Sequence, residues 1–174
     1  ALRRRFTVTR QVLHWFEIKR HAERFSPENC PVFIWDVSGR KLPNVRRKPK
    51  AVVYGFPLAG GANGGLKVTH EEVGRTTDPD HVPRKVTAEE IDHTYTTYVQ
   101  PFLPDLGLRC IRSATGLYTS VAGGRFVIDT HPEQPRVTFA SACSGHGFKH
   151  SAAVGEALAQ KLAGTSPSYI SLAP

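Results

Sequence analysis

No apolar run in these 174 residues approaches the roughly 20 that a helix needs to cross a bilayer, and no membrane segment is expected. The basic opening Ala1-Leu2-Arg3-Arg4-Arg5-Phe6 runs into Arg10, His14, Glu17 and Lys19, which is not a secretory-leader pattern. Cysteine is scarce: Cys30, Cys110 and Cys143 are odd in number, widely spaced and without a C-x-x-C pair. Reduced thiols in a cytoplasmic protein are the simplest account. The eight histidines form no H-E-x-x-H and no tight ligand grouping, so no metal is expected. A Walker-type phosphate loop is missing, because the glycines at 60–65 lead into Leu66-Lys67-Val68. No G-x-S-x-G elbow surrounds Ser120, Ser144 or Ser151, which excludes the usual serine hydrolase. Acidic residues are few beside basic ones, leaving a net charge of +8 gathered mainly in Arg3-Arg4-Arg5, Lys19-Arg20 and Arg46-Arg47-Lys48-Pro49-Lys50. A nucleic-acid surface would interleave such clusters with exposed aromatics. Here Phe6, Trp15, Phe16 and Phe33 lie in strand-like runs and read as core, so nucleic acid is not an expected partner. The 46–50 cluster reads as a solvated loop or as a surface that attracts an anionic substrate or acidic partner.

The rest of the sequence is that of an ordinary globular chain. Alternating apolar residues predict strands over 6–16, 31–37 and 51–58. Residues 66–69 resume the last of these after a glycine-rich tip at 59–65, giving a hairpin. Residues 77–86 are turn-like. Thr87 with Glu90 three residues later forms a capping box, and Ile91, Tyr95 and Tyr98 follow at helical spacing up to Pro101. Further strands are predicted over 108–118, 125–129 and 136–140, the last two linked by 131–135. A flexible loop, Ser144-Gly145-His146-Gly147, precedes a helix whose Val154, Leu158 and Leu162 recur on one face, with Gly164 as the C′ residue. Strands mixed with helices in this way indicate an α+β (mixed α/β) class.

The junction of 144–151 carries the most chemical information. Glycines two apart allow backbone to approach a ligand, and the helix that follows offers free N–H groups and partial positive charge. A phosphate, a carboxylate or the anionic edge of a reduced flavin suits such an end. Taken alone, the simpler reading is a glycine turn before a surface helix. Lys67 at a hairpin likewise reads, by itself, as a solvated lysine.

Six segments in order change the weighing: Tyr54-Gly55-Phe56-Pro57; Gly65-Leu66-Lys67; Leu117-Tyr118-Thr119; Phe126-Val127-Ile128-Asp129-Thr130-His131-Pro132-Glu133; Ser144-Gly145-His146-Gly147-Phe148-Lys149; and Val154-Gly155-Glu156. Together they resemble the monomeric sarcosine oxidase and N-methyltryptophan oxidase family, FAD-dependent amine oxidases of the D-amino-acid oxidase superfamily. The resemblance covers nearly the whole chain. It implies a substrate-domain portion over 1–121, built on a mixed sheet, and the C-terminal strands and helix of an FAD-binding domain over 122–174. It implies oxidation of a secondary amine or N-methyl amino acid on FAD, with O₂ as acceptor and hydrogen peroxide as product. Lys67 would face the flavin and activate O₂, Lys149 would pair with the substrate carboxylate, and Tyr54 and Tyr118 would line the cavity. Gly116, Leu117, Ser144, Gly145, His146, Gly147, Phe148 and Lys149 would adjoin the cofactor.

Two positions depart from the family pattern. Members with covalent FAD carry a cysteine where this chain has Gly116, so non-covalent FAD is expected. A histidine usual four residues after the lysine is replaced by Glu71, whose carboxylate would repel that of an amino acid. No G-x-G-x-x-G fingerprint is present, and the chain begins without Met. The expectation is therefore a fragment, inactive alone, whose dinucleotide-binding half is supplied in cis or in trans. A dehydrogenase with another electron acceptor, and a catalytically silent binding module, are the alternatives that these residues leave open.

Overall fold

Bulky and β-branched residues carry the chain into extended structure from its first described residues. The computed structural model describes residues 6–39, 52–61, 64–72 and 75–165; the basic clusters at 3–5 and 46–50 and the Ala62-Asn63 part of the glycine tip lie outside these. Among the described residues are strands β1 (Phe6–Ile18), β2 (Phe33–Asp36), β3 (Val52–Phe56), β4 (Leu66–His70), β5 (Leu106–Val121), β6 (Val127–His131) and β7 (Gln134–Ser141), with helices α1 (Ala88–Thr94) and α2 (Ser151–Leu162). The α+β class is as expected. The chain divides into two compact units: Arg10–Arg75 with Asp80–Gly116, and Ala1–Thr9 with Thr76–Pro79 and Leu117–Pro174.

The first unit is built on a sheet of order β2-β3-β4-β1-β5, whose registered pairs β2–β3, β3–β4 and β4–β1 are antiparallel. One face holds the core: Phe16, Val53, Leu66, Val68 and Val99 are wholly buried, with Phe33, Leu103 and Leu106 around them. Adjacent strand residues point to opposite faces, so Phe16 and Trp15 cannot both be core. Phe16 is core, and Trp15 stands half-buried on the other face, which corrects the reading of both as core.

The Thr87 capping box forms as the sequence indicates, with Glu90 N donating to Thr87 Oγ1 (3.2 Å) and Thr87 N to Glu90 Oε2 (2.9 Å). Glu90 also pairs with Arg10 of β1, and Arg10 reaches the carbonyls of Pro83 and Lys85, tying the turn to the sheet. The helical period then changes. Tyr95–Val99 is a π-helical turn, wider by one residue, not the continued α-helix expected up to Pro101. Tyr98 thereby stacks on His70 at 4.2 Å, while Tyr95 packs against Phe16 and donates to the Leu106 carbonyl.

This layer contains an electrostatic weak point. His14 is wholly buried against Phe16 with neither ring nitrogen hydrogen-bonded. Burial, then repulsion from His70, pushes its pKa down from 6.5 to about 4. Between those values the unfolded chain takes up a proton that the folded chain does not, so stability is complete above pH 6.5 and declines as the pH falls. From pH 7 to pH 5 the loss from this one group is about 2 kcal/mol. Urea midpoints at the two pH values are expected to differ in the wild type and to draw together in His14→Phe, which keeps a ring against Phe16 and removes the titration. A wild-type midpoint that does not move with pH would contradict this account.

In the second unit β6 and β7 form an antiparallel hairpin. Pairing extends to His131↔Gln134, leaving Pro132-Glu133 as the turn in place of the five-residue link expected. Glu133 N donates to His131 Nδ1 (3.2 Å) and closes it. Helix α2 buries Val154 and Ala157, whereas Leu162 of the expected apolar face is 71% exposed. Its C-terminus is a Schellman motif: Gly164, with φ of +75°, donates to Lys161 O, and Thr165 N donates to Gln160 O.

Candidate active site

The open face of the sheet in the first unit displays a row of residues drawn from four strands. Register pairs Lys67 of β4 with Phe56 of β3 on one side and Trp15 of β1 on the other. The Lys67 Nζ lies 4.4 Å from the Phe56 ring centroid and 5.5 Å from that of Trp15. Arg112 of β5 places its guanidinium carbon 4.5 Å from the same indole. Burial, then the nearby Arg112 charge, holds the Lys67 pKa below the ordinary lysine value. A half-buried ammonium with aromatic walls is a fixed positive charge whose field is strengthened by poor solvation. That is more than the solvated lysine that the hairpin alone would suggest.

Tyr54 lies two residues before Phe56 and so shares this face with Lys67, paired in register with Thr69. The ladder runs on for one residue past β4, Glu71 N donating to Val52 O (2.9 Å). Strand alternation puts Glu71 on the Lys67 face, about 13 Å farther along by strand rise. Trp15, Phe56 and Arg112 were not singled out from sequence. The signal available was the Trp15-Phe16 doublet, since one member of such a pair must leave the core.

Gly116, Leu117 and Tyr118 follow one another near the end of β5. A Cβ built at Gly116 meets nothing within 4 Å, and its φ is not positive, so neither crowding nor backbone strain demands glycine there. A side chain the size of cysteine would fit.

In the second unit the expected flexible loop is a tight, hydrogen-bonded turn. Ser144 adopts φ of +43° and Gly145 φ of +77°. Ser144 N donates to Thr119 O (2.9 Å), its hydroxyl donates to Arg125 O (2.9 Å), and Val121 N donates to that hydroxyl (3.3 Å). His146 Nε2 donates to Gly124 O (2.9 Å), and its ring stacks on Phe126, with His150 edge-on to both. Gly147 is buried against the Ala142 carbonyl so closely that any Cβ would collide with it. A short 3₁₀ turn, Phe148–His150, then winds into α2. Phe148 is 95% exposed and Lys149 is exposed beside it, so the amide end of this helix presents an aromatic ring and a cation outward. The predicted residues thus gather in two sets, Lys67 with Tyr54 and 144–149 in one turn anchored to the strand that carries Tyr118.

Residues 18–161 match the family model described as FAD dependent oxidoreductase. The chain belongs to this family. It is 35% identical to the monomeric sarcosine oxidase of Streptomyces avermitilis over 170 residues, covering 96% of this chain and 41% of that protein. It is 34% identical to the N-methyl-L-tryptophan oxidase of Yersinia pestis over 138 residues, covering 74% of this chain and 36% of that protein. Among solved structures, NikD, an unusual amino acid oxidase of nikkomycin biosynthesis, superposes with a TM-score of 0.67 at 16% identity, covering 97% of this chain and 42% of that one. Amadoriase I, a fructosyl amine:oxygen oxidoreductase of Aspergillus fumigatus, does so with a TM-score of 0.63 at 16% identity, covering 96% and 37%. The chain therefore spans about two fifths of the length of these relatives. None of the described helices is long and apolar enough to cross a membrane, and the described residues include no group of three or more His, Cys, Asp or Glu placed to hold a metal.

The family implies FAD, and the chemistry of the side chains present fits part of it. Within the first unit, a poorly solvated ammonium among aromatic rings is chemistry that suits the ring system. The described residues supply no dinucleotide fingerprint, which accounts only for the remainder of the cofactor.

Proposed function

We propose that this chain carries the oxygen-reacting and substrate-carboxylate-binding surfaces of an FAD-dependent amine oxidase acting on a secondary amine such as an N-methyl amino acid. Residues 1–121 would belong to its substrate domain, and 122–174 to the FAD-binding domain completed by a segment in cis or in trans. FAD, when bound, would supply the two-electron acceptor for converting the amine to an imine, with O₂ and two protons as the terminal acceptor giving hydrogen peroxide and water hydrolysing the imine. The observation that carries this reading is the Lys67 ammonium held against Phe56 and Trp15, a fixed cation of the kind that would stabilise negative charge developing on oxygen. Lys149 would hold the substrate carboxylate by a charge-assisted contact and so orient the amine. Tyr54 and Tyr118 would line the cavity, while Gly116, Leu117 and the 144–149 turn would adjoin the cofactor. The unpaired thiols of Cys30, Cys110 and Cys143 agree with a cytoplasmic setting.

The chain joined to the dinucleotide-binding segment is expected to consume O₂ and release equimolar peroxide when given sarcosine or N-methyltryptophan. Amine oxidation without oxygen uptake would favour another electron acceptor. FAD in that protein should be non-covalent, since Gly116 offers no thiol. Acid precipitation should therefore leave all flavin in the supernatant, and flavin retained in the pellet would place an attachment point elsewhere.

A further inference from the structure

Trp15 is the middle of a three-strand row, with Lys67 across one strand boundary and Arg112 across the other. Two cations therefore share one indole. Elsewhere on this sheet and its loops the arginines find acids: Arg10 has Glu90, Arg109 has Glu17 (2.7 Å), and Arg20 and Arg24 both reach Asp105. Among the described residues neither Arg112 nor Lys67 has a carboxylate within ion-pair distance. Like charges brought together without a counter-charge repel, and an exposed arginine is free to swing away into water. Arg112 instead lies on the indole, as a planar, weakly hydrated guanidinium can and an ammonium does less well. Its backbone is held there too, its carbonyl accepting the Cys110 thiol (2.9 Å).

We propose that Arg112 is a positioning residue for Lys67, acting through the Trp15 indole that the two side chains share. The guanidinium braces the ring from the β5 side, and the braced ring limits where the Lys67 ammonium can sit. The Arg112 charge also makes Lys67 easier to deprotonate, in the same sense as the burial that dominates its environment. Among the described residues the other charged or titratable groups on this face include Tyr54 of β3, Asp36 of β2, Glu17 of β1, which Arg109 occupies, Lys19 just past β1 beside Glu17, and Glu71 beyond β4. The catalytic meaning of this arrangement rests on the oxidase reading. The arrangement itself can be tested without it.

The lysines of the 174-residue chain can be converted to ¹³C-dimethyl-lysines and titrated by NMR, with Lys67→Arg assigning the Lys67 signal. In the wild type that signal should be displaced by the Trp15 ring current, and Trp15→Leu should abolish the displacement. In Arg112→Gln the Lys67 titration midpoint should move upward and the ring-current displacement should shrink. Arg112→Lys keeps the charge and loses the flat stack, so it should hold the midpoint near wild type while the displacement still shrinks. Arg112 is exposed, and all variants should give the wild-type circular dichroism spectrum. A Lys67 midpoint unchanged in Arg112→Gln, or moved equally by Gln and Lys, overturns the proposal. Either result stands apart from oxygen uptake by the completed enzyme, whose absence would count against the oxidase reading and leave this titration unaffected.

Discussion

Lys67→Met, made in the FAD-loaded protein, is expected to slow reaction with O₂ by at least about a hundredfold, the scale of losing one preorganised electrostatic contact. Methionine keeps the unbranched bulk between Phe56 and Trp15 and removes only the charge. The effect should fall on one half-reaction. The first electron added to oxygen creates a negative charge in a poorly solvated place, and a cation already fixed there needs no reorganisation. Anaerobic bleaching by the amine involves no such charge and should slow much less. Stopped-flow absorbance separates the two rates. The oxygen rate should also fall at high pH with a midpoint below the ordinary lysine range, because burial and then Arg112 lower the Lys67 pKa and only the protonated form is useful. An unchanged oxygen rate in Lys67→Met would reduce Lys67 to a structural lysine on a sheet face and make the dehydrogenase reading the better one.

Lys149→Ala should raise KM for an N-methyl amino acid by roughly 10- to 150-fold, the worth of a charge-assisted contact of about 1.5–3 kcal/mol. For a secondary amine of similar size without a carboxylate, KM should change little. Lys149 is exposed in the 3₁₀ turn ahead of α2 and has no carboxylate partner among the described residues, so its loss should leave the fold intact. Steady-state kinetics on the two substrates read the difference directly, and equal losses on both would remove Lys149 from carboxylate recognition. Glu71 adds a second comparison: if its carboxylate disfavours acidic substrates, Glu71→Gln should lower KM for the amino acid and not for the plain amine.

Much of the architecture was legible in local pattern. The hairpin of β3 and β4, the Thr87–Glu90 capping box, the Gly164 terminus and the strands near 127 and 136 follow from alternation, capping chemistry and glycine placement, all set by neighbours a few residues apart. The π-helical turn at Tyr95–Val99 did not show itself. Its cause is non-local: Tyr98 and Tyr95 must meet His70, Phe16 and the Leu106 carbonyl at the same time, and one wider turn allows both.

The candidate site divides along the same line. From sequence alone came its component types: a lysine after a glycine-rich tip, a tyrosine on the preceding strand, and a glycine turn feeding a helix with a lysine at its start. Tertiary structure decided that Lys67 has aromatic walls and a second cation for company. Trp15 and Arg112 lie far from Lys67 along the chain and reach it only because β4, β1 and β5 are neighbours in a particular register. Strand alternation has a period of two, so a slip of one residue would turn Trp15 into the core and bring Phe16 out beside the lysine. The sequence by itself determined that this segment is an extended strand, in which both aromatics read as core. Alternation leaves room for only one, and pairing across strands, driven by burial of Phe16, Leu66 and Val68 on the opposite face, decided which.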